Sequence, residues 1–135
     1  MFKPYKNEAK PNAAECAGAI GAVQDALYVL NGKWKLPIII ALSEGNKRFG
    51  ELQRAVPGIA PKVLSAELKM LELNGFVVRH VYDSIPVSVE YELLEYANSL
   101  GKVIESLKEW GTQHRNKLRS EAKKAKKNGS LKLEV

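Results

Sequence analysis

Lys62, Ser65, Ala66 and Lys69 fall on one face of a helical repeat, opposite a stripe of Leu64, Leu68 and Leu71. Small, hydroxyl-bearing and cationic side chains on one face suit close approach to a polyanion. A hydroxyl can donate to or accept from a base edge, and an ammonium can bind guanine or phosphate. Lys47, Arg48 and Arg54 flank the preceding helical run, where basic groups can grip phosphate and set register. Arg79 stands at the base of a later β-hairpin. The plainer reading is that these are solvated surface cations, the ordinary fate of lysine and arginine.

Other reactive residue types lack partners. Cys16 is the single cysteine, near the start of a helical run. A thiol there can become reactive and serve as a redox sensor. Glu15 beside it opposes thiolate formation, and a small buried hydrophobe is the alternative. Ser99-Leu100-Gly101-Lys102 matches S-x-x-K without the companion motifs that pattern needs. His80 and His114 are isolated, with no metal-ligand spacing around them. Trp34 and Trp110 read as core anchors. No enzyme activity, metal or cofactor is expected.

The elements that must position the basic face follow from periodicity. Phe49, Leu52 and Val56 make one helical stripe, which Pro57-Gly58 breaks. A second helix opens near Pro61, where a missing N–H costs nothing. Gly75 ends it as a C′ glycine. Two helices joined by a short turn, the second polar-faced, form a helix-turn-helix pattern or an ordinary αα-hairpin. Gly50 and Ala60 stand where a serine-like cap would be favourable, so both helix starts are weakly capped.

Around this pair, Ala13–Asn31 is a helix with Ile20, Val23, Leu27 and Leu30 on one side. Gly18 and Gly21 weaken it or let another helix come close. Trp34–Ser43 is nearly all apolar. Pro37 argues against a central strand and fits a first helical turn, so a buried helix is expected. After Gly75 the period changes to two. Val77–Tyr82 and Val87–Leu93 flank the turn residues Asp83–Pro86, a β-hairpin whose tip has no Lys or Arg. From Glu95 to about Arg119 one helix carries Leu100, Val103, Ile104, Leu107, Trp110, His114 and Leu118 on one side. That exceeds what a small core needs, so it reads as a dimer helix.

Composition bounds the answer. The chain has 135 residues, 45% hydrophobic and 27% charged, with a net charge of +6. Residues 119–135 hold six basic and two acidic residues, so that tail carries +4 and the body +2. Global charge thus supports nucleic-acid binding only weakly. No apolar run nears ~18 residues, so no membrane span is expected. The first dozen residues have no apolar core, so no secretory signal is expected. A lone cysteine agrees with a reducing cytoplasm.

The ordered set Gly32-Lys33-Trp34, Arg48-Phe49 with Glu51-Leu52, Pro57-Gly58-Ile59, Lys62-Val63-Leu64-Ser65 with Leu68, Pro86, Val89-Glu90-Tyr91 and Trp110-Gly111 resembles HxlR-type transcriptional regulators. These are bacterial winged-helix proteins that act as dimers, related in shape to the MarR group. The likeness runs from about Cys16 to His114. It implies that Lys62–Lys69 lies on a recognition helix, that residues 79–91 form a wing, and that the first and last helices make a dimer interface.

The reading is an α+β, mainly α, winged helix-turn-helix fold. Residues 1–12 are a flexible arm, 13–119 the DNA-binding domain with its dimerisation helices, and 120–135 a basic, disordered tail. The function is a cytoplasmic, homodimeric, sequence-specific regulator of transcription, more a repressor than an activator. It would bind an inverted repeat in double-stranded DNA. DNA contact falls to Lys62, Ser65, Ala66, Lys69, Lys47, Arg48, Arg54 and Arg79. The dimer interface falls to Leu100, Val103, Ile104, Leu107 and Trp110. A small-molecule or redox effector stays open. The alternative is a winged helix used as a protein-interaction module without specific DNA binding.

Overall fold

A computed structural model describes residues 12–128. The chain forms two compact units that divide between Leu93 and Leu94. The first holds α1 (Ala13–Val29), α2 (Lys35–Leu42), β1 (Lys47–Arg48), α3 (Phe49–Ala55), α4 (Pro61–Leu73), β2 (Val77–Tyr82) and β3 (Ser88–Leu93). The second holds a 3₁₀ helix, Glu95–Leu100, running into α5, Gly101–Lys127.

Helix α1 opens on a cap that periodicity does not reveal. Asn12 Oδ1 accepts from the Glu15 N–H at 2.8 Å, and Glu15 Oε1 accepts from the Asn12 N–H at 3.0 Å. This reciprocal pair satisfies two orphan donors. No residue of α1 is buried, and Ile20, Val23 and Leu27 are all exposed. A Cβ added at Gly18 or Gly21 would meet nothing within 4 Å among the described residues, so neither glycine has a close neighbour there.

Pro37 sits in the first turn of α2, where its missing N–H costs no bond. Ile38, Ile39, Ala41 and Leu42 are buried, so the apolar run is the expected buried helix. Buried with them are Leu52 and Val56 of the α3 segment, Ile59 of the turn, and Leu64, Leu68 and Leu71 of α4, and both α3 and α4 contact α2. Phe76, Val77 and Tyr91 complete this core. Each leucine here is a site where truncation to alanine costs about 2–5 kcal/mol.

Helix α3 begins two residues earlier than its cap pattern predicts. Its N-cap is Arg48, with extended backbone, and not Gly50. Arg48 has no side-chain acceptor, so the cap runs backwards: Glu51 Oε1 accepts from the Arg48 N–H at 2.7 Å. Helix α4 starts at Pro61 behind Ala60, with no side-chain cap. Its end is the expected glycine stop. Gly75 has φ +81, its N–H reaches Glu72 O, and the Phe76 N–H reaches Leu71 O at 3.0 Å. That double bond is a Schellman motif, and the buried Phe76 and Leu71 flank it.

The sheet has three strands in the order β1-β3-β2, all antiparallel. The hairpin is the expected one; the two-residue β1 is not visible in the sequence pattern. In the second unit α5 continues through Lys127. Residues 120–127 are therefore helical rather than disordered, because alanine and lysine are strong helix formers. The rest of the expected tail, from residue 129, and the arm over residues 1–11 lie outside the described residues.

Candidate nucleic-acid interface

The turn that aims α4 rests on a glycine. Gly58 has φ +86, a left-handed conformation that side chains disfavour. The Trp34 ring lies beneath it, 3.9 Å from where a Cβ would stand. Val56 and Ile59 on either side of Pro57-Gly58 are buried, which fixes both ends of the turn in the core. Trp34 is itself half-buried, and the Lys33 ammonium sits 4.8 Å above its ring.

Helix α4 then presents Lys62, Ser65, Ala66 and Lys69 together, all exposed. Its 13 residues span about 20 Å, enough to cross a major groove about 12 Å wide. Behind Ala60 the N–H groups of the first turn receive no side-chain cap. Free donors at an exposed helix start suit a phosphate oxygen. Among the described residues neither Lys62 nor Lys69 makes an ion pair, so both cations are available. Val63, Met70 and Leu73 are also exposed on this helix, an apolar element the sequence reading does not include. Exposed methyl groups near a groove can contact the thymine methyl.

The other basic candidates divide. Arg54 extends along α3, with Nη1 3.6 Å from the Cβ position of Gly50. Lys47 pairs with Glu44 at 3.1 Å, so its charge is partly committed. In the sheet, Lys47 and Arg79 each stand opposite Tyr91, whereas Arg48 and His80 each stand opposite Glu90. Residues directly opposite each other point to the same face. Lys47 and Arg79 therefore share one face. Arg48 shares the other with Glu90, His80 and Glu92, where two carboxylates dilute its charge. His80 Nε2 is 2.7 Å from Glu92 Oε1. The wing tip, Asp83–Val87, is exposed and apolar at Ile85 and Val87.

Of the candidate dimer-interface residues, Leu100, which ends the 3₁₀ helix, is buried and Ile104 of α5 is half-buried. Val103, Leu107, Trp110 and, further on, Leu118 are exposed. Trp110 is thus no core anchor; it stacks on His114, one turn on, with centroids 5.0 Å apart. Cys16 is exposed on α1. The Ser99 hydroxyl donates to Tyr96 O at 2.7 Å.

One pair was missed altogether. Lys35 donates to Glu67 on α4 at 2.6 Å. A lysine inside an apolar helix and a glutamate beside a leucine stripe are the only hints, and no spacing rule joins residues so far apart.

Comparison with known proteins agrees with this geometry. A family model described as HxlR-like helix-turn-helix matches residues 29–119. The HTH-type transcriptional regulator YtcD of Bacillus subtilis is 42% identical over 97 residues, covering 72% of this chain and 77% of YtcD. Among solved structures, the redox regulator HypR in its reduced form superposes with a TM-score of 0.67 at 38% identity, over 73% of this chain and 98% of HypR. A MarR-family regulator from Enterococcus faecalis V583 superposes with a TM-score of 0.63 at 33% identity, over 85% of this chain and 99% of that one.

Proposed function

The chain belongs to the HxlR-like helix-turn-helix family of transcriptional regulators, and from that premise we propose that it represses transcription by occupying an inverted repeat as a homodimer. The observation that carries the reading is the exposed face of α4, with two unpaired lysines, a hydroxyl and an alanine in a row. Each protomer would set α4 in a major groove, and its hairpin would lie beside the adjacent minor groove. Arg54 and Arg79 would meet phosphates and set register. Ser65 and Lys62 would read base edges. Dimer binding blocks a promoter that overlaps its site, which makes repression the simpler outcome.

The surplus apolar faces support the dimer. Ile20, Val23 and Leu27 on α1, and Val103, Leu107 and Trp110 on α5, are exposed in the single chain. Large exposed apolar faces mark association surfaces. Among the described residues no helix is long and apolar enough to cross a membrane, and action on DNA in the cytoplasm fits the lone cysteine. Cys16, exposed on α1, would be the point at which an oxidant or electrophile reaches the dimer. The likeness to a redox regulator favours that assignment. No cofactor is needed for any of these steps.

Protein–protein docking through the wing is the second reading, favoured by a tip that has no Lys or Arg, carries the acidic Asp83 and is apolar at Ile85 and Val87. Selection of bound sequences from random duplex DNA, followed by footprinting, separates the two. The expected product is an inverted repeat with half-site centres about 10 bp apart or a multiple of it. Failure to enrich any sequence overturns the DNA reading in favour of the docking one.

A further inference from the structure

Lys35 is the one buried charged residue among the described residues, 5% exposed in an otherwise apolar run. Its ammonium donates to Glu67 Oε1 at 2.6 Å, to Asn31 Oδ1 at 2.9 Å and, more weakly, to Asn31 O at 3.4 Å. Its three N–H groups therefore each have an acceptor. Asn31 belongs to the connection between α1 and α2, and Glu67 to α4. The second carboxylate oxygen of Glu67 lies 3.8 Å from where a Cβ of Gly32 would stand, so the carboxylate is held against that same connection.

An aliphatic pair would fill this space at little cost in stability, because desolvating two charges offsets most of their attraction. What an aliphatic pair cannot do is fix a direction. Leu64, Leu68 and Leu71 attract the core without directional preference. They leave the roll of α4 about its own axis to shape alone. A charge-assisted hydrogen bond is short and directional. Glu67 sits at the border of the leucine stripe, about 160° around the helix from Ser65 and Lys69. A roll of about 20° moves a point on the helix surface, about 5–6 Å from the axis, by about 2 Å. That exceeds the tolerance of a hydrogen bond to a base edge.

We propose that the Lys35–Glu67 pair, anchored on Asn31, is a positioning device that sets the roll of α4 and so the sequence preference of Lys62, Ser65 and Lys69. Its effect on specificity rests on α4 being the DNA-reading helix. Its effect on roll does not. Lys35 and Glu67 touch no DNA themselves; they act through the helix.

The test is the double variant Lys35→Met/Glu67→Leu, which leaves no lone buried charge. Residual dipolar couplings of α4 N–H vectors, compared with those of α2 in the DNA-free protein, read the roll directly. The α4 couplings should change while those of α2 hold; unchanged α4 couplings overturn the proposal. Titration of the selected and a scrambled duplex reads specificity. The ratio of the two affinities should fall about tenfold, with the salt slope unchanged because every exposed cation remains. A full ratio in the double variant overturns the link to specificity. A double variant that does not fold also overturns the proposal, since the pair would then belong to the core's stability and not to its aim. A wild-type protein with no preference for any duplex removes the DNA reading, and the couplings then decide the roll by themselves.

Discussion

Lys47 and Arg79 stand on either side of Tyr91, one from each outer strand, so the three form a single row across β1, β3 and β2. The row brings two cations, far apart in sequence, to one face of the wing sheet. They are not equivalent. Lys47 has Glu44 at 3.1 Å, while Arg79 has no ion pair among the described residues. Arg79→Ala should reduce the slope of log affinity against log salt by about one unit, and equally for cognate and scrambled duplexes. Lys47→Ala should reduce it by less. Titrations at several salt concentrations check this, and an Arg79 variant with the wild-type slope would remove the wing base from the interface.

Charged substitutions at the exposed end of the α5 stripe should break the dimer. Val103→Glu and Leu107→Glu place carboxylates on side chains that the single chain leaves open, so the fold itself should survive. Leu100 is a poor test, because it is buried and its loss would damage the chain directly. Sedimentation at micromolar concentration should show wild-type dimer and variant monomer, both with helical circular dichroism. A wild-type monomer at that concentration would sink the dimer reading.

The helices and the hairpin were legible because each carries a local period. Pro37 and Pro61 mark first turns, and Gly75 marks an end, through backbone chemistry that needs no neighbour. What was not legible depends on partners distant in sequence. The strand Lys47–Arg48 exists only because β3 lies beside it. The opposition of Arg48 to Glu90 follows from sheet register, which sets side-chain faces once the pairing is known. The Lys35–Glu67 pair joins two helices with no periodic relation. Trp110 misleads because an aromatic on a helix stripe reads as core whether the core lies within the chain or across an interface. The polar part of the α4 face was legible, since one helix suffices to define it, whereas the exposed Val63, Met70 and Leu73 on the same helix were not.

Gly58→Ala should destabilise the protein by about 1–2 kcal/mol, the cost of a left-handed conformation for a residue with a Cβ. Space is no obstacle, since the added carbon would lie 3.9 Å from the Trp34 ring. Urea denaturation should show a lower midpoint with an unchanged slope. A midpoint equal to wild type would mean the turn relaxes out of φ +86.

Cys16 tests the sensing proposal. Oxidation or alkylation of the wild-type protein should weaken duplex binding, and Cys16→Ser should bind like the reduced wild type while ignoring the reagent. The thiol is exposed, so the reagent can reach it. If the wild type and Cys16→Ser keep the same affinity before and after treatment, the cysteine has no sensing role.

The face of α4 itself gives the most direct prediction. Lys62 is the second residue of the helix and Lys69 lies about 10 Å further along its axis. In a recognition helix the N-terminal residues come nearest the base edges. Lys62→Ala should therefore cost about 1–3 kcal/mol of binding and relax preference at one base pair. Lys69, farther along, is placed to meet backbone. Lys69→Ala should weaken all duplexes nearly equally and lower the salt slope by about one unit. Ser65 is exposed between them and its hydroxyl carries no charge, so Ser65→Ala should change preference more than affinity. Ala66 sits beside it with no group to hinder approach, so Ala66→Glu should abolish binding through bulk and charge together. The measurement is titration of cognate and scrambled duplexes over a range of salt. Four variants that bind both duplexes like the wild type would mean that α4 is not the reading helix, and the apolar wing tip would become the better candidate for what this protein touches.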